Sequence, residues 1–311
     1  MDELACSSAL LGDAEALRGH LAEDGYLFFR GLLPTAEIGQ AAVSVFNTLH
    51  QGGWADNRGG ASGSPRALNV RDALTDPAFR AAITSPAFNR IPYLAEIRRV
   101  ARMILGPSAF SYPSKVLRAV FPEHKPGDKP GEKPGDKPGV ARGRYIHQDY
   151  AVGGVQDMLT AWVPLIDIPV RMGGLAVLPG SHLGPPLRPR VLSEREHGWA
   201  TTSYRPGDLL IFHSLTSHAA LPNRARALRL SGDFRWQRPD QPVPSELIFG
   251  PAGRWEMFSR IFAREPWWEP VPPGLTLTGR ERMVALPPGP SRLFPVHPGW
   301  RLWRPPAAAA H

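Results

Sequence analysis

The feature that most constrains the fold is a series of short β-rich runs that begins near Ser111. Each run is rich in apolar, β-branched and aromatic residues, and Gly, Pro, Asp or Asn stand at its ends. Such a series predicts an antiparallel sandwich or jelly roll. The runs are SKVLRAVF (114–121), RYIHQDY (144–150), LTAWVPLI (159–166), LAVLPG (175–180), DLLIFH (208–213), HAALPN (218–223) and LRLSGDFRWQ (228–237).

The residues before this series show mainly helical, not β, sequence patterns. Residues 13–23 carry apolar side chains at helical spacing, which predicts a helix. YLFFRGLL (26–33) is predicted to form a strand, and Thr35 can cap a helix that follows it. Residues 76–106 contain helical segments that prolines interrupt. The prediction for residues 1–110 is therefore a mainly helical part with one early strand.

The length of 311 residues is compatible with one domain, because all-β barrels of this size often fold as a unit. We expect a single domain over residues 1–311, with a jelly-roll core at 111–240. The C-terminal part, 241–311, is predicted to be irregular and helical, with a helix near 253–264.

A tetrapeptide repeat, KPGDKPGEKPGDKPG (125–139), interrupts the core. It offers no apolar side chain to a core, so we predict a disordered surface insertion over 124–140. A lid or a partner tether is one interpretation, and a neutral insertion in a tolerant hairpin is the one we favour.

Composition and charge exclude several classes of protein. The net charge of +8 is spread over folded segments, so we expect no nucleic-acid partner. Cys6 is the only cysteine, which rules out a thiolate metal cage. The acidic start does not resemble a signal peptide and no long apolar run occurs, so a soluble, cytoplasmic protein without a membrane partner is expected.

One run carries a candidate metal motif. In RYIHQDY (144–150), strand alternation would place His147 and Asp149 on the same face, with Gln148 pointing away. A single His-x-Asp is weak, since a hydrogen-bonded structural pair gives the same pattern. The downstream stretch 204–237 adds His218, and Arg229 two residues before Ser231.

These residue types suit oxygen chemistry on iron. Two imidazoles and one carboxylate on one face of an octahedral Fe(II) leave positions for a bidentate 2-oxo acid and O2. The far carboxylate of 2-oxoglutarate needs a buried planar cation, a role that suits Arg229 with Ser231 beside it.

With these parts the chain resembles the phytanoyl-CoA dioxygenase family, over roughly residues 20–240. The matching segments are YLFFRGLLP (26–34), HQD (147–149), AWVPLID (161–167), GGLAVLPGSH (173–182), YRPGDLLIFH (204–213), His218 and RLS (229–231). The resemblance implies a mainly β fold with flanking helices around a double-stranded β-helix, the cupin-like jelly roll.

The resemblance also implies the cofactors and residue roles. Fe(II) is expected on His147, Asp149 and His218, with 2-oxoglutarate and O2 as co-substrates. Arg229 and Ser231 are expected to bind the 2-oxoglutarate carboxylate. Trp162 would line the co-substrate pocket, and Lys115, on the strand before the insertion, is a further expected contact.

Other His and Trp residues leave alternatives open. His213 ends the LLIFH strand and could face the interior, but the spacing of His218 to Arg229 favours His218 as the ligand. His182 is expected to stabilise a loop. Aromatic residues beside proline more often pack than bind. We expect packing roles for Trp54, Trp199, Trp267 and Trp268.

The implied activity is hydroxylation of a small natural-product or lipid-like molecule, with release of succinate and CO2. Asp149 argues against halogenation, because related halogenases have a small residue there. Desaturation, epimerisation or ring closure would use the same triad. A non-redox cupin-like binding protein and an interaction scaffold are the rivals, and the oligomeric state is left open.

Overall fold

The computed structural model describes residues 1–56, 76–122, 145–184, 190–192, 197–249 and 260–279. The described helices are α1 (Ala14–Asp24), α2 (Thr35–Gln51), α3 (Pro77–Ile83), α4 (Pro86–Arg90), α5 (Ala95–Leu105), α6 (Tyr150–Gly153) and α7 (Ser245–Phe249). The described strands are β1 (Asp2–Glu3), β2 (Tyr26–Phe29), β3 (Phe110–Val120), β4 (Tyr145–Ile146), β5 (Leu159–Pro164), β6 (Leu175–Val177), β7 (Arg190–Val191), β8 (Ala200–Thr201), β9 (Leu209–His213), β10 (His218–Ala220), β11 (Arg229–Gln237), β12 (Val243–Pro244) and β13 (Leu277–Thr278).

The larger sheet has five strands in the order β2-β9-β5-β11-β3, and every neighbouring pair is antiparallel. The order is not that of the chain, so the connections cross between sheets, as in a jelly roll. Strand β11 lies between β5 and β3 and is buried along its whole length.

The smaller sheet has the order β1-β8-β6-β10. Strand β1 pairs with β8 in parallel, and the remaining pairs are antiparallel. An isolated bridge joins His147, just after β4, to His218, the first residue of β10. This bridge places the end of β4 beside the edge of the smaller sheet.

Alternation along the strands of the larger sheet separates two cores. Leu209 and Ile211 pack with the side chains of α1 to α5 on the outer face. Leu210 and Phe212 point the other way, into a second core shared with Leu175 of the smaller sheet. The period of two therefore gives this sheet one face for the helices and one for the barrel interior.

The helices begin and end where the local chemistry favours it. The Asp13 carboxylate accepts hydrogen bonds from two backbone N–H groups of the first turn of α1. Asp76 and Ser85 cap α3 and α4 in the same way, each followed by a proline at the first helical position. Pro34, not Thr35, occupies the cap position of α2, and it makes no side-chain cap.

The jelly roll with flanking helices is confirmed. The N-terminal part is mainly helical as expected, but it contains a second strand, β1, which the sequence did not indicate. The early strand is shorter than predicted and ends at Phe29. Residues 260–262 are helical, while the rest of the helix predicted near 253–264 and the insertion at 124–140 lie outside the described residues.

The single domain over 1–311 stays a prediction. Within the described ranges, no helix is both long enough and apolar enough to cross a bilayer.

Candidate metal centre

Two strands bring the candidate histidines together. His147 and His218 form a mutual backbone pair, in which each N–H donates to the other's carbonyl oxygen at 3.0 Å. Their imidazole rings lie side by side, with centroids 4.2 Å apart. Asp149 Oδ1 lies 4.0 Å from His147 Nε2 and 3.9 Å from His218 Nε2. One ligand atom from each residue lies within 4.8 Å of the others, close enough to share an ion.

Asp149 reaches the cluster by a route that differs from the predicted one. The strand ends at Ile146, and Asp149 has helical backbone angles, φ −62° and ψ −24°, at the cap position of α6. Alternation along a strand was therefore the wrong reason for placing Asp149 beside His147. A turn brings the carboxylate back toward the imidazoles.

Backbone carbonyls orient both imidazoles. Nδ1 of His147 lies 3.2 Å from the Tyr145 carbonyl oxygen, and Nδ1 of His218 lies 3.0 Å from that of Thr216. A carbonyl only accepts, so each Nδ1 carries a proton and donates it there. In the neutral ring this tautomer leaves Nε2 as the nitrogen that can bind a metal.

The carboxylate of Asp149 is buried and held by two neighbours on adjacent strands. The Thr160 hydroxyl on β5 donates to Oδ2 at 2.5 Å. The Arg235 guanidinium on β11 lies 3.4 Å from each oxygen. Burial alone would raise the pKa of Asp149, but the charge of Arg235, together with the Thr160 hydrogen bond, outweighs it and holds this pKa well below its usual range. The group is therefore a ready anionic ligand.

His218 is neutral at physiological pH. Burial lowers its pKa to about 4, and the neighbouring His147 contributes in the same direction. A cation can therefore occupy Nε2 near pH 7 without displacing a proton, and protons compete for that nitrogen only as the pH falls toward 4.

Thr160 provides a test of how the carboxylate is held. Thr160→Val keeps the shape of the side chain but removes the 2.5 Å hydrogen bond, so we expect metal affinity to fall about tenfold, as is typical for partners of metal ligands. Thr160→Ser is the matched control and keeps wild-type affinity. Competition against a fluorescent chelator measures both variants, and equal affinities for Val and Ser would contradict the assigned role.

A cavity of about 300 Å³ opens beside the metal cluster, with His147, His218 and Arg229 in its wall. The Arg229 side chain is buried, and its Nη1 donates to the Leu221 carbonyl oxygen at 3.3 Å. Arg229 Nε and Ser231 Oγ are both buried without a hydrogen-bond partner among the described residues. Unpaired buried donors are costly, which indicates that a ligand completes them.

Of the other two expected co-substrate contacts, Trp162 lies at the cavity and Lys115 does not. Trp162 on β5 faces the barrel interior, packs edge-on against Tyr204 and lines the cavity. Lys115 pairs in register with Phe234 on the helix-facing side of the sheet. Its Nζ lies 3.5 Å from the Tyr93 hydroxyl and over the Tyr93 ring. Lys115 is not brought to the cavity, because alternation along β3 turns it to the opposite face.

His213 is also separated from the metal cluster. It shares a face with Leu209 and Ile211, which is the helix side and not the barrel interior, and its Nε2 lies 3.7 Å from Asp157. His182 is buried near Ala22, whose carbonyl oxygen lies 3.1 Å from its Nε2, in agreement with a loop-stabilising role.

Gly25 holds the turn that precedes His218. Its carbonyl oxygen accepts hydrogen bonds from the His213 backbone N–H at 3.0 Å and the Thr216 hydroxyl at 2.7 Å. It has a φ of +78°, and a Cβ there would lie 2.4 Å from His182 Nδ1. Only glycine meets both requirements.

The aromatic residues expected to pack do so. Trp54 stacks on Phe79, and Trp199 lies in a small core beside the smaller sheet. Trp267 and Trp268 cluster around Tyr93. In the described ranges, none of these tryptophans lines the cavity beside the metal cluster.

Sequence reasoning missed residues on the interior face of β11 and its neighbours. RLSGDFRWQ (229–237) alternates polar and apolar residues strictly, which places Asp233 and Arg235 on the face of Arg229. That signal was available in the sequence. Thr160 and Arg118 gave no comparable signal, because their importance depends on which strands become neighbours.

Comparison with known proteins agrees with this geometry. The sequence profile described as phytanoyl-CoA dioxygenase (PhyH) matches residues 21–231. A curated relative, 1-deoxypentalenic acid 11-beta-hydroxylase of Streptomyces exfoliatus, is 28% identical over an alignment of 273 residues, which covers 79% of this chain and 87% of the relative. The protein of the same name from Streptomyces arenae is 26% identical over 268 residues, with the same shares covered.

Two solved structures are similar in fold. The apo form of the non-haem monooxygenase ThoJ aligns with a TM-score of 0.52 and 18% identity, over 72% of this chain and 78% of ThoJ. Apo EctD from S. alaskensis aligns with a TM-score of 0.50 and 17% identity, over 78% of this chain and 82% of EctD. The matched profile runs from the end of α1 to the start of β11 and includes His147, Asp149 and His218. The chain therefore belongs to the phytanoyl-CoA dioxygenase family of Fe(II)- and 2-oxoglutarate-dependent oxygenases.

Proposed function

We propose that His147, Asp149 and His218 hold the iron of this dioxygenase, that Arg229 and Ser231 bind the far carboxylate of its 2-oxoglutarate, and that it hydroxylates a small organic molecule. The observation that carries the proposal is the buried, incompletely paired Arg229, which lines the same cavity as His147 and His218 of the His-Asp-His cluster. A metal-binding barrel without a 2-oxo acid has no need of that cation.

The chain's own residues prepare the centre for this reaction. When bound, iron and 2-oxoglutarate would supply the oxidising chemistry with O2 as the oxidant: one oxygen atom ends in succinate as CO2 is released, and the other in the hydroxylated product. Asp149 stays ionised because Arg235 and Thr160 hold its carboxylate. Apolar side chains in the cavity wall, including Phe212 and Leu175, keep water from the reacting groups. Trp162 packs against Tyr204, and this contact holds its ring in one position in the wall of the co-substrate region.

Hydroxylation is the outcome that we favour among those open to the centre. Asp149 occupies the ligand position that halide would need in a halogenase. The two curated relatives are named as hydroxylases of 1-deoxypentalenic acid, which supports a small natural-product-like substrate. Desaturation, epimerisation and cyclisation need the same iron and 2-oxoglutarate and differ only in how the substrate lies.

The rival function is non-redox metal or ligand binding on the same barrel. An intact metal cluster is compatible with that rival. The buried Arg229 guanidinium is not, because burying its charge beside an apolar cavity costs free energy that a bound anion offsets. An interaction scaffold has still less need of the buried arginine.

Anaerobic addition of Fe(II) and 2-oxoglutarate tests the proposal. We expect a weak visible metal-to-ligand charge-transfer band that needs both components, because the band arises only when the 2-oxo acid chelates iron. The matched control replaces 2-oxoglutarate with succinate, which lacks the 2-oxo group and gives no band. If wild-type protein forms no band at saturating Fe(II), the proposed function is wrong.

A further inference from the structure

One cationic side chain in the cavity wall has no role in the proposed chemistry. Arg118 lies on β3, directly opposite Ser231 of β11, on the interior face of the sheet. Its side chain is 38% exposed, whereas that of Arg229 is fully buried. Arg118 therefore stands on the same face as the co-substrate anchor but is more open.

Asp233 holds Arg118 by one edge of its guanidinium. Asp233 Oδ2 lies 2.8 Å from Arg118 Nε and 2.7 Å from Nη2. Within the described part of the chain, Arg118 Nη1 has no hydrogen-bond partner. The carboxylate of Asp233 thus fixes the direction of the guanidinium and leaves one amino group for another acceptor.

The charges of the site do not balance without a further anion. Among the described residues around the cavity and the metal cluster, three arginines, Arg118, Arg229 and Arg235, face two carboxylates, Asp149 and Asp233. Bound Fe(II) and the 2-oxoglutarate dianion cancel one another. One positive charge then remains beside the cavity, where it favours a monoanionic ligand.

The rest of the cavity wall is apolar. Val120, Leu175, Phe212 and Ala220 contribute aliphatic and aromatic surface beside the metal cluster. Tyr145, 46% exposed, lies in the wall on β4. Such a surface binds a hydrocarbon skeleton, and a few placed polar groups set its orientation.

Resting on the proposed function, we propose that the substrate is an apolar monocarboxylic acid whose carboxylate is bound by Arg118, with Asp233 as the residue that positions the guanidinium. The carboxylate accepts from the guanidinium while the hydrocarbon body lies against Val120 and Phe212. Arg118 is in this way a specificity-determining residue and not a second anchor for 2-oxoglutarate.

Matched acid and alcohol probes test this inference on the full chain. The pairs are 1-adamantanecarboxylic acid with 1-adamantanemethanol, and octanoic acid with 1-octanol. Each is titrated calorimetrically into anaerobic protein loaded with Fe(II) and 2-oxoglutarate. We expect at least one acid to bind about tenfold to hundredfold more tightly than its alcohol, the range of a charge-assisted hydrogen bond. No preference for either acid overturns the inference.

Variants of Arg118 locate the preference. Arg118→Gln is expected to reduce the acid-to-alcohol ratio to about one, while Arg118→Lys keeps the charge and part of the ratio. The 2-oxoglutarate affinity, read from the charge-transfer band, is expected to stay within about twofold of wild type in both, and thermal unfolding checks that both fold. A ratio that survives Arg118→Gln overturns the inference.

Loss of 2-oxoglutarate affinity in Arg118→Gln also overturns the inference, since Arg118 would then be a co-substrate contact. Failure of the inference differs visibly from failure of the proposed function. In the first case the wild-type band forms and only the acid preference is missing. In the second case the band is missing before any acid is added.

Discussion

Replacing His218 with alanine is expected to abolish Fe(II)-dependent turnover and to lower Fe(II) affinity by more than about 100-fold, which exceeds the loss typical of residues that only support a ligand. His218 supplies a neutral Nε2 within 3.9 Å of the Asp149 carboxylate. Its removal leaves two ligands for an ion that needs three from the protein. Chelator competition measures affinity, and the charge-transfer band reports assembly of the centre.

His213→Ala is the informative control, because His213 lies five residues away in sequence and was the competing candidate. His213 is fully buried on the helix side of β9, beside Asp157. We expect a lower melting temperature in this variant, with the Fe(II) affinity and the charge-transfer band retained. If His213→Ala loses the band and His218→Ala keeps it, the ligand assignment is wrong.

Arg229→Leu is expected to weaken 2-oxoglutarate binding by about 150-fold to 4000-fold, in line with the ~3–5 kcal/mol cost of leaving a buried charge without its partner. Burial lowers the pKa of Arg229 to about 10, but this value is still well above neutral pH, so the guanidinium stays charged. The variant should still bind Fe(II) normally, because Arg229 contacts none of the three ligands. The dissociation constant comes from titrating the charge-transfer band.

A co-substrate analogue separates loss of the anchor from general damage. 2-Oxopentanoate retains the chelating 2-oxo acid but lacks the far carboxylate. Wild-type protein should prefer 2-oxoglutarate strongly, while Arg229→Leu should bind both compounds about equally. A variant that keeps the wild-type preference would place the carboxylate contact elsewhere, with Arg118 as the first residue to test.

The jelly roll was predictable because each of its main strands can be recognised from its own short stretch of sequence. Runs bounded by Gly and Pro became β5, β6, β9, β10 and β11. Arg229 and Ser231 were predicted from the cation that 2-oxoglutarate requires and from the resemblance, and the alternation of polar and apolar residues along β11 puts both on one face. That alternation also covered Asp233 and Arg235, whose partners lie on other strands and so could not be named in advance.

The failures occur where local periodicity stops. Asp149 was placed beside His147 by an alternation that ends at Ile146, and the turn into α6 gives the same proximity for a different reason. Lys115 was assigned by resemblance alone, and the pairing of β3 with β11 turns it toward Tyr93 and the helices. Strand pairing is a property of the whole fold, and a single sequence holds no direct record of it.

Because His147 and His218 are paired through their backbones, the spacing of the two imidazoles does not depend on the other residues that form the cavity wall. The spacing of the two imidazoles is set by main-chain hydrogen bonds, which use only the N–H and carbonyl groups of His147 and His218 themselves. Residues of the cavity wall, such as Val120, Leu175 and Ala220, do not take part in that pair. Selection for a new substrate can therefore remodel the wall while the distance between the two histidines is inherited unchanged.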